Sequence, residues 1–389
     1  MPWREVSTVD QRREFVALAS VEGVNRRDLC RRFGISAQTG YKWLLRACEK
    51  DADLNDRSRR PHSSPLQCSE VIEALVLEVR DTHPAWGARK IERCLARDGH
   101  GPPAISTIHA ILRRRGRVMP PAGKPGQPWQ RFEREAPNLL WQMDFKGHMP
   151  LSGGGDCHPL TVIDDHSRYA LGLAACANEQ TETVQKALTR IFERYGLPNN
   201  ILADNGSPWG AGPYRAWTRL GVWLLKLGIW LDHGRPYHPQ THGKNERFNR
   251  TVKAEVFALR RFHDLTEAQG ALDAWRTIYN LERPHEALGQ EVPASRYRPS
   301  QRSMPAKLPQ VEYDQGEIVR TVPTTKDYIS FKGRFWKVPQ AFRGERLAIR
   351  PKAKEGHFAI CFGAFEIAQI DFNQPVSYVS EQVSTMSPG

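Results

Sequence analysis

The stretch LLWQMDFKGHMPLSGGGDCHPLTVIDDHSRYALGLAACAN, residues 139–178, gives the clearest indication of the fold of this chain. Its apolar and β-branched residues predict strands over Leu139–Met149, His158–Asp165 and Tyr169–Asn178, and the glycines of SGGGD (152–156) predict a turn between the first two. Three consecutive strands are the first half of a sheet, and the residues that follow give the remaining order.

From residue 181 onward the pattern alternates between helices and strands. It predicts, in order, a helix over Thr181–Tyr195, a strand over Asn200–Asp204, a mostly helical segment over Trp209–Leu227, a strand over Trp230–Arg235 and a helix over Gly243–Arg261. Consecutive strands followed by this alternation predict an α/β domain over residues 137–300, with a mixed sheet and helices on its faces.

Composition sets the broad class of protein. The chain has 389 residues, of which 40% are hydrophobic and 25% are charged, so it can build cores and is not disordered throughout. The most apolar stretch, Val222–Leu231, is interrupted by Lys226, so no membrane span is expected. The N-terminus lacks an apolar leader and the seven cysteines include no CxxC pair, which favours a cytoplasmic protein with reduced thiols. The net charge of +13 favours a polyanionic partner.

The first 136 residues carry 25 Lys and Arg against 17 Asp and Glu, so they hold +8 of the total +13. Within them, NRRDLCRRFGISAQTGYKWLLRA (25–47) predicts two short helices around a turn at Gly34, with Ser36 as N-cap of the second. This helix-turn-helix pattern is assigned to residues 1–50. Gln38, Thr39 and Lys42 would point from its second helix toward a DNA major groove, and an ordinary helical hairpin is the alternative.

A second unit with a similar pattern of helices, a winged-helix-like helix-turn-helix, is predicted over residues 69–118. Ser106 or Thr107 is expected to cap its last helix. Arg113 and Arg114 crowd the end of that helix, where they suit either a DNA backbone or the helix dipole alone.

Two linkers, residues 51–68 and 119–136, separate these units from each other and from the α/β domain. The first is polar and basic. Its Arg57, Arg59 and Arg60 fit an arginine arm that lies in a minor groove, and a solvated spacer is the other interpretation.

Residues 301–375 contain short strand-like runs separated by turn residues, among them EIVRTV, YISFKGRFWKVP and RLAIRPK. That pattern predicts a small all-β domain, an SH3-like barrel. Residues 376–389 are expected to form a flexible tail.

Three acidic residues of the α/β domain fall where a metal site can form. Asp144 lies inside the first strand among apolar neighbours, Asp204 ends a later strand, and Glu246 lies near the start of a helix. An acid inside a strand is costly without a partner and converging acids repel one another, so a divalent cation resolves both problems. Carboxylate oxygens select Mg²⁺ or Mn²⁺, and two such ions support in-line phosphoryl displacement. Alternatively, Asp204 and Asn205 form only an Asx turn and Glu246 is solvated.

Five motifs in the sequence carry a resemblance to a known family: WQMDFKG, TVIDDHSRYALG, ADNGSPW, RPYHPQTHGKNERFNRTVKAE and YNLERPHEALG. They resemble insertion-sequence transposases of the DDE superfamily, which are retroviral-integrase-like, and the resemblance spans roughly residues 8–300. It implies an RNase H-like core in which Asp144, Asp204 and Glu246 are the catalytic metal ligands. The interval of 42 residues from Asp204 to Glu246 is longer than is common in the family, with the extra residues assigned to GAGPYRAWTRLGVWLLKLGIW.

The resemblance also implies an activity. Such a transposase would use two Mg²⁺ or Mn²⁺ ions per active site and bind the terminal inverted repeats of a mobile element as a homo-oligomer. It would nick double-stranded DNA to expose 3′-OH ends and join them to target DNA. The fold class is then multidomain α/β, with tandem helix-turn-helix domains, an RNase H-like core and a small C-terminal β-barrel. The expected location is the bacterial cytoplasm, at the nucleoid when DNA is bound.

Basic and polar residues near Glu246 are candidate DNA contacts. Lys253 lies two helical turns after Glu246 on the same side, and it resembles the family's contact to the cleaved transposon end. The other candidates for phosphate or nearby DNA contacts are Lys244, Asn245, Arg247, Arg250, His238 and Gln240. For Lys253 the alternative is a solvated lysine, and for His238 and Gln240 it is an ordinary loop position.

Two neighbouring features are interpreted structurally. Asp164 and Asp165 are adjacent in a strand and face opposite sides, and Asp165 is expected to pair with Arg168. Gly153–Gly155 lack the GK[ST] ending of a phosphate loop, so no nucleotide cofactor is expected.

Two other classes of function stay open at this point. One is a catalytically inactive, transposase-derived DNA-binding regulator, although a pure binder gains nothing from clustered acids near phosphates. The other is an RNase H-type nuclease acting on hybrids, which needs no tandem reader of duplex sequence. Imperfect inverted repeats flanking the gene would separate a transposase from both.

Overall fold

The structure is a computed structural model that describes residues 7–49, 53–57, 68–118, 133–210, 217–233 and 243–373. Contacts divide the chain into two compact units, Met1–Gln67 and Cys68–Gly389. Four of the predicted DNA contacts lie outside the described residues: Arg59, Arg60, His238 and Gln240. The predicted tail, residues 376–389, also lies outside them. Within the described ranges, no helix combines the length and apolar character needed to cross a membrane.

The first unit contains the helices α1 (Thr8–Ala19), α2 (Arg26–Arg32) and α3 (Ala37–Ala47). Each begins at a polar N-cap whose side chain accepts a hydrogen bond from a backbone N–H of the first turn: Ser7, Asn25 and Ser36. The chain turns between α2 and α3 at Gly34, which has a φ of 65° that favours glycine. The predicted helix-turn-helix is therefore present, with the predicted turn and cap.

Close packing of α3 explains a glycine inside that helix. A Cβ at Gly40 would lie 2.4 Å from Cys30 Sγ and 2.9 Å from the ring of Phe15. Both partners belong to the small core of the unit, so only glycine allows α3 to approach it this closely. The cost of glycine in a helix interior is offset by this contact.

The second unit begins with α4 (Glu70–Thr82), α5 (Ala88–Arg97) and α6 (Ile105–Arg114), packed around a core that includes Val76, Trp86, Ile91 and Ile108. The prediction that Ser106 or Thr107 caps α6 is wrong. The extended backbone ends at Ala104, which is the N-cap and provides no side-chain hydrogen bond. Residues 68–118 contain no strand, so the wing of a winged helix is not seen there.

A mixed sheet forms the centre of the second unit. Its strands are β1 (Leu140–Phe145), β2 (Met149–Pro150), β3 (Asp156–Asp164), β4 (Ala170–Cys176), β5 (Asn200–Ala203) and β6 (Trp230–His233). The strand β3 pairs antiparallel with β1, β2 and β4, whereas β1, β5 and β6 are parallel neighbours. The mixed sheet predicted from the sequence is confirmed.

Helices cover both faces of this sheet: α7 (Thr181–Tyr195), α8 (Arg219–Lys226), α9 (Gly243–Val252) and α10 (Leu265–Leu281). One core lies under α7 and α8, and a separate core lies under α9 and α10. Successive side chains of β3 point to opposite faces of the sheet, so this strand contributes to both cores. Val162 belongs to the first core and Ile163 to the second.

The C-terminal part contains β7 (Ile318–Thr321), β8 (Tyr328–Phe331), β9 (Arg334–Lys337), β10 (Arg346–Pro351), β11 (His357–Phe362) and β12 (Phe365–Asp371). The expected closed barrel is not formed by these residues. They make an open four-stranded sheet of order β12-β11-β10-β7 and a separate hairpin of β8 and β9.

Side-chain packing takes the place of barrel closure. The hairpin packs on the sheet through aromatic rings, with centroids 4.9 Å apart for Phe331 and Phe358 and 5.0 Å apart for Trp336 and Phe372. Val222 and Leu225 of α8 join the same core. Because α8 covers these apolar side chains, no further strand pairing is needed to bury them.

The strand β4 lies at an edge of the mixed sheet, and amide side chains of α10 satisfy its backbone. Asn280 accepts a hydrogen bond from the Ala170 N–H at 2.8 Å and donates one to the Ala170 carbonyl at 3.0 Å. Gln269 bonds in the same way to the Ala175 N–H and the Leu173 carbonyl. An uncovered edge is a template for pairing with other chains, so these amides protect it.

We expect Asn280→Ala to lower the free energy of unfolding by about 1–3 kcal/mol, because it leaves the buried N–H and carbonyl of Ala170 without partners. Chemical denaturation followed by tryptophan fluorescence measures the change. Thr277→Ala, an exposed position on the same helix, is the matched control. Equal stability of the two variants would contradict the edge-protecting role.

Candidate active site

Asp144 and Asp204 meet at one edge of the mixed sheet. Asp144 lies in β1, Asp204 directly follows β5, and the two strands are parallel neighbours with Gln142 paired to Leu202. The pKa of Asp144 is raised to about 7, chiefly by burial and next by the negative charge of Asp204. The Asp204 carboxylate therefore lies close enough to Asp144 for its charge to act on it.

The Asx turn considered as the alternative for Asp204 is also present. Its Oδ1 accepts a hydrogen bond from the Gly206 N–H at 2.8 Å. Its backbone carbonyl contacts Nδ1 of His233, at the end of β6, at 2.8 Å. The turn fixes the loop after β5, and the second carboxylate oxygen of Asp204 makes no protein hydrogen bond within the described residues.

Glu246 is not brought together with the two aspartates. Its side chain is 68% exposed and pairs with Arg250, one helical turn further along α9, at 3.3 Å. Across the described ranges, no group of three or more His, Cys, Asp or Glu side chains is placed to hold a metal ion. The structure thus assembles two of the three predicted ligands and leaves the third in solvent.

The helix α9 docks on the sheet through polar contacts that sequence reasoning missed. Asn249 donates a hydrogen bond to Oδ2 of Asp144 at 2.8 Å. Asn245 accepts one from Thr161 at 3.2 Å, and its backbone N–H reaches Gln142. The signal was available in the i, i+4 spacing of the two asparagines, which places both on the face that Phe248 and Val252 bury.

Two predicted phosphate contacts have a different role in this arrangement. Lys244 is mostly buried and forms an ion pair with the fully buried Asp165. Asn245 is only 1% exposed. The burial of both side chains argues against the predicted contacts with phosphates, since each holds α9 to the sheet.

The predicted pairing of Asp165 with Arg168 is wrong. Asp165 accepts hydrogen bonds from Gln142, Lys244 and the backbone of Arg134, whereas Arg168 pairs with Glu133 at 2.6 Å. Glu133, the partner of Arg168, and Lys244, the partner of Asp165, both lie far from these residues in the sequence. The β3–β4 turn directs the neighbouring side chains to different surroundings, so closeness in sequence did not give the partner.

The predicted helix over 243–261 changes character before its end. After Val252 a π-helical turn covers Lys253–Phe257, and Lys253 is exposed at its first position. Glu255 of this turn is buried together with Arg283, with Oε1 2.9 Å from Nη2, and it accepts a hydrogen bond from the Trp275 indole. This pair anchors the end of the α9 segment to α10 and to the RPH motif that follows α10.

The remaining predicted DNA contacts lie on the helical surfaces. On α3, Gln38 and Lys42 are exposed, while Thr39 takes part in the Ser36 cap. Arg57 pairs with Glu49. On α6, Arg113 is exposed, whereas Arg114 binds the buried carboxylate of Glu73 at 2.9 Å, so its role is at least partly structural.

The donor chemistry of the site suits a hard divalent cation. Burial and the charge of Asp204 raise the pKa of Asp144, and a cation between the two carboxylates relieves both effects. Carboxylate oxygens are the ligands that Mg²⁺ and Mn²⁺ prefer. Glu246 would join them only after its side chain leaves Arg250.

Comparisons with known families cover most of the chain. The Integrase core domain matches residues 134–239 and again residues 227–293. A Helix-turn-helix domain matches residues 11–62, and a Homeodomain-like domain matches residues 39–112. The C-terminal domain of the IS481 family transposases matches residues 317–376.

Individual relatives and one solved structure were also found to be similar to this chain. The insertion element IS407 uncharacterized 31.7 kDa protein of Burkholderia multivorans is 27% identical, over 60% of this chain and 82% of its own length. The insertion element IS476 uncharacterized 39.2 kDa protein of Xanthomonas euvesicatoria is 26% identical, over 64% and 70%. The solved HTLV-2 integrase catalytic core domain in complex with magnesium is 14% identical, covering 42% of this chain and 99% of that one, with a TM-score of 0.33.

Models of a helix-turn-helix domain, an integrase core and a transposase C-terminal domain match successive parts of this one chain, a combination that indicates the transposase class. These matches support the resemblance to insertion-sequence transposases of the DDE superfamily that the five sequence motifs indicated.

We expect Glu255→Ala to lower the free energy of unfolding by about 3–5 kcal/mol, because it leaves the buried guanidinium of Arg283 without its partner. Asp273→Ala, which removes the exposed partner of Arg276, serves as the control and should cost less than about 1 kcal/mol. Equilibrium unfolding in urea distinguishes the two. Similar values would show that the Glu255–Arg283 pair does not hold the π-helical turn.

Buried His285 predicts a pH dependence of stability. Burial, and next the charge of Arg283, lower its pKa to about 3, whereas an unfolded histidine has a pKa of about 6.5. The native state binds fewer protons, so this stability is complete above about pH 6.5 and is lost as the pH falls toward 3. Between pH 7 and 5, the wild type should lose about 1–2 kcal/mol that His285→Gln does not lose. Thermal unfolding at both pH values tests this, with exposed His109→Gln as a control that should follow the wild type.

Proposed function

We propose that this transposase binds the terminal inverted repeats of its mobile element, nicks the DNA to expose 3′-OH ends and joins those ends to target DNA. Asp144, Asp204 and Glu246 would hold the divalent cations, Mg²⁺ or Mn²⁺, in this reaction. The observation that carries the proposal is the juxtaposition of Asp144 and Asp204 at the ends of two parallel strands, where burial and the charge of Asp204 raise the pKa of Asp144.

The integrase-like core supports dependence on divalent metal in general. When bound, the cations would activate the attacking oxygen and stabilise the charge that develops at the leaving oxygen. In the first step a water oxygen attacks a phosphodiester and the 3′ oxygen leaves as a hydroxyl. In the second step that hydroxyl attacks a target phosphodiester, and the target's own 3′ oxygen leaves.

The protein's part in both steps is placement. Asn249 orients the carboxylate of Asp144 through its 2.8 Å hydrogen bond. Arg250 and Lys253 offer exposed charges on the solvent side of the α9 segment, where they can contact phosphates flanking the reacting one. Within the described residues Glu246 pairs with Arg250 alone, so a phosphate that takes Arg250 would also release the Glu246 side chain.

The helical domains supply recognition of the element's ends. On α3, exposed Gln38 and Lys42 are available to base edges in a major groove, and on α6 exposed Arg113 is available to the backbone. Two such domains on one chain read a longer site than one can. Holding two DNA ends and a target together requires several copies of the chain, so the active species is proposed to be a homo-oligomer on DNA.

We expect Asp204→Asn to bind a duplex carrying the inverted repeat with unchanged affinity and to join it to plasmid DNA at least about 100-fold more slowly, because a metal ligand is lost. Asp232→Asn is the matched control. Asp232 lies in β6, the next parallel strand, and accepts a hydrogen bond from Asn200 that an asparagine can keep. The assay follows a labelled end with Mg²⁺ or Mn²⁺ and resolves nicked and joined products.

The possible outcomes separate the functions considered from the sequence. Joining by the wild type and by Asp232→Asn, but not by Asp204→Asn, supports the transposase with Asp204 as a ligand. Cleavage of an RNA–DNA hybrid without joining would support the nuclease. Specific binding of the repeat without chemistry under either metal would support the inactive regulator and refute the proposed activity.

A further inference from the structure

Glu286 bridges two arginines that come from different domains. Its Oε1 accepts a hydrogen bond from Arg89 of α5 at 3.0 Å, and its Oε2 accepts one from Arg247 of α9 at 3.0 Å. All three side chains are about half exposed, between 46% and 66%. One carboxylate thus holds together a helix of the second helical domain and the helix that carries Glu246.

Other contacts hold α5 in this position independently of Glu286. Arg93 pairs with Glu291, and Arg97 donates a hydrogen bond to the Glu282 carbonyl at 2.9 Å. Ile278 of α10 packs against the apolar core of the helical domain. The seam between the two domains therefore does not depend on Glu286 alone.

Positive charge exceeds negative charge around this carboxylate. Lys90 and Arg283 lie near Arg89 and Arg247, and the pKa of Lys90 is lowered to about 8 by burial and by the charge of Arg283. Against these four cations stand Glu286 and Glu255, and Glu255 is already bound to Arg283. The hydrogen bond from Arg247 lowers the pKa of Glu286, so its carboxylate is charged and neutralises the two exposed arginines.

We propose that Arg89 and Arg247 form a binding site for a phosphate of the DNA backbone and that Glu286 occupies this site in the DNA-free protein. A phosphate offers two anionic oxygens to two guanidinium groups, as the carboxylate of Glu286 does here. Exposed ion pairs stabilise a protein little, so exchange of the carboxylate for a phosphate costs little. The exposure of all three side chains leaves room for the strand to reach them.

The position of this site connects end recognition to the candidate active site. Arg89 belongs to a helix-turn-helix domain, and Arg247 directly follows Glu246 on α9. A single DNA backbone that binds both arginines is fixed by the reading domain and passes beside the catalytic helix. The inference rests on the proposed function only in taking duplex DNA as the ligand.

The test compares Glu286→Gln with Glu291→Gln in the full chain. Both changes raise the net charge by one, both remove an exposed partner of an α5 arginine, and only Glu286 contacts α9. Fluorescence anisotropy with a labelled duplex of arbitrary sequence, over a series of salt concentrations, gives Kd and its salt dependence. We expect Glu286→Gln to bind roughly twofold to fivefold more tightly than Glu291→Gln.

Arg247→Gln supplies the second arm of the experiment. Added to Glu286→Gln, it should remove the gain in affinity and reduce the slope of log Kd against log salt by about 1, the value for one lost phosphate contact. Equal affinities of Glu286→Gln and Glu291→Gln, or weaker binding by Glu286→Gln with a lowered melting temperature, would overturn the proposal and leave Glu286 as a structural clasp. Strand joining by the wild type is measured in parallel, so failure of the proposed activity is seen separately from failure of this site.

Discussion

The sheet has to accommodate a half-buried carboxylate at the end of β1, and the packing of α9 follows from that constraint. Asp144 carries a pKa raised by burial, so its surroundings must satisfy it by hydrogen bonding. The amide of Asn249 does so from α9. Two further polar side chains of α9 contact the sheet beside Asn249. Asn245 accepts a hydrogen bond from Thr161 and Lys244 pairs with Asp165, so this docking face differs from that of an apolar helix. Phe248 and Val252 bury the apolar part of the same face.

A second anchor fixes the far end of the α9 segment. The buried Glu255 and Arg283 connect the π-helical turn to the residues after α10, and the Trp275 indole satisfies the same carboxylate. Breaking a buried pair is costly because it leaves a charge unpaired, so this anchor resists displacement more than the exposed pairs of Glu286 do. The helix is thereby held rigidly at both ends, while exposed side chains along its outer surface stay free to exchange partners. These contacts explain two parts of the motif YNLERPHEALG. Asn280 of YN binds the backbone of the edge strand β4, and Arg283 of RPH anchors the π-helical turn through Glu255.

Periodicity and strand order predicted the α/β core correctly because both are local properties of the chain. The structure places Asp144 and Asp204 near each other because β1 and β5 are parallel neighbours whose carboxyl ends lie at a common edge. Ion-pair partners from distant segments could not be predicted from such local properties. Arg168 pairs with Glu133 and Asp165 with Lys244, and the residues near Arg168 and Asp165 in the sequence do not indicate these partners. The prediction of a C-terminal barrel was wrong for a similar reason. Strand-like runs show that a segment is β, whereas closure depends on long-range pairing, and α8 buries the apolar surface that closure would have covered.

The exposed position of Glu246 is compatible with this rigidity. Asn249 lies three residues further along α9, about 4.5 Å along the helix axis and on an adjoining face. Because Asn249 contacts Asp144, the backbone of Glu246 is already fixed within one helical turn of a residue that contacts the site. An exposed pair with Arg250 holds its side chain in solvent, and such pairs contribute about 0.3–0.5 kcal/mol. A polyanion that competes for Arg250 would remove a contact that keeps the Glu246 side chain in solvent, while the contacts of Asn249 and Glu255 would still hold the backbone of the α9 segment.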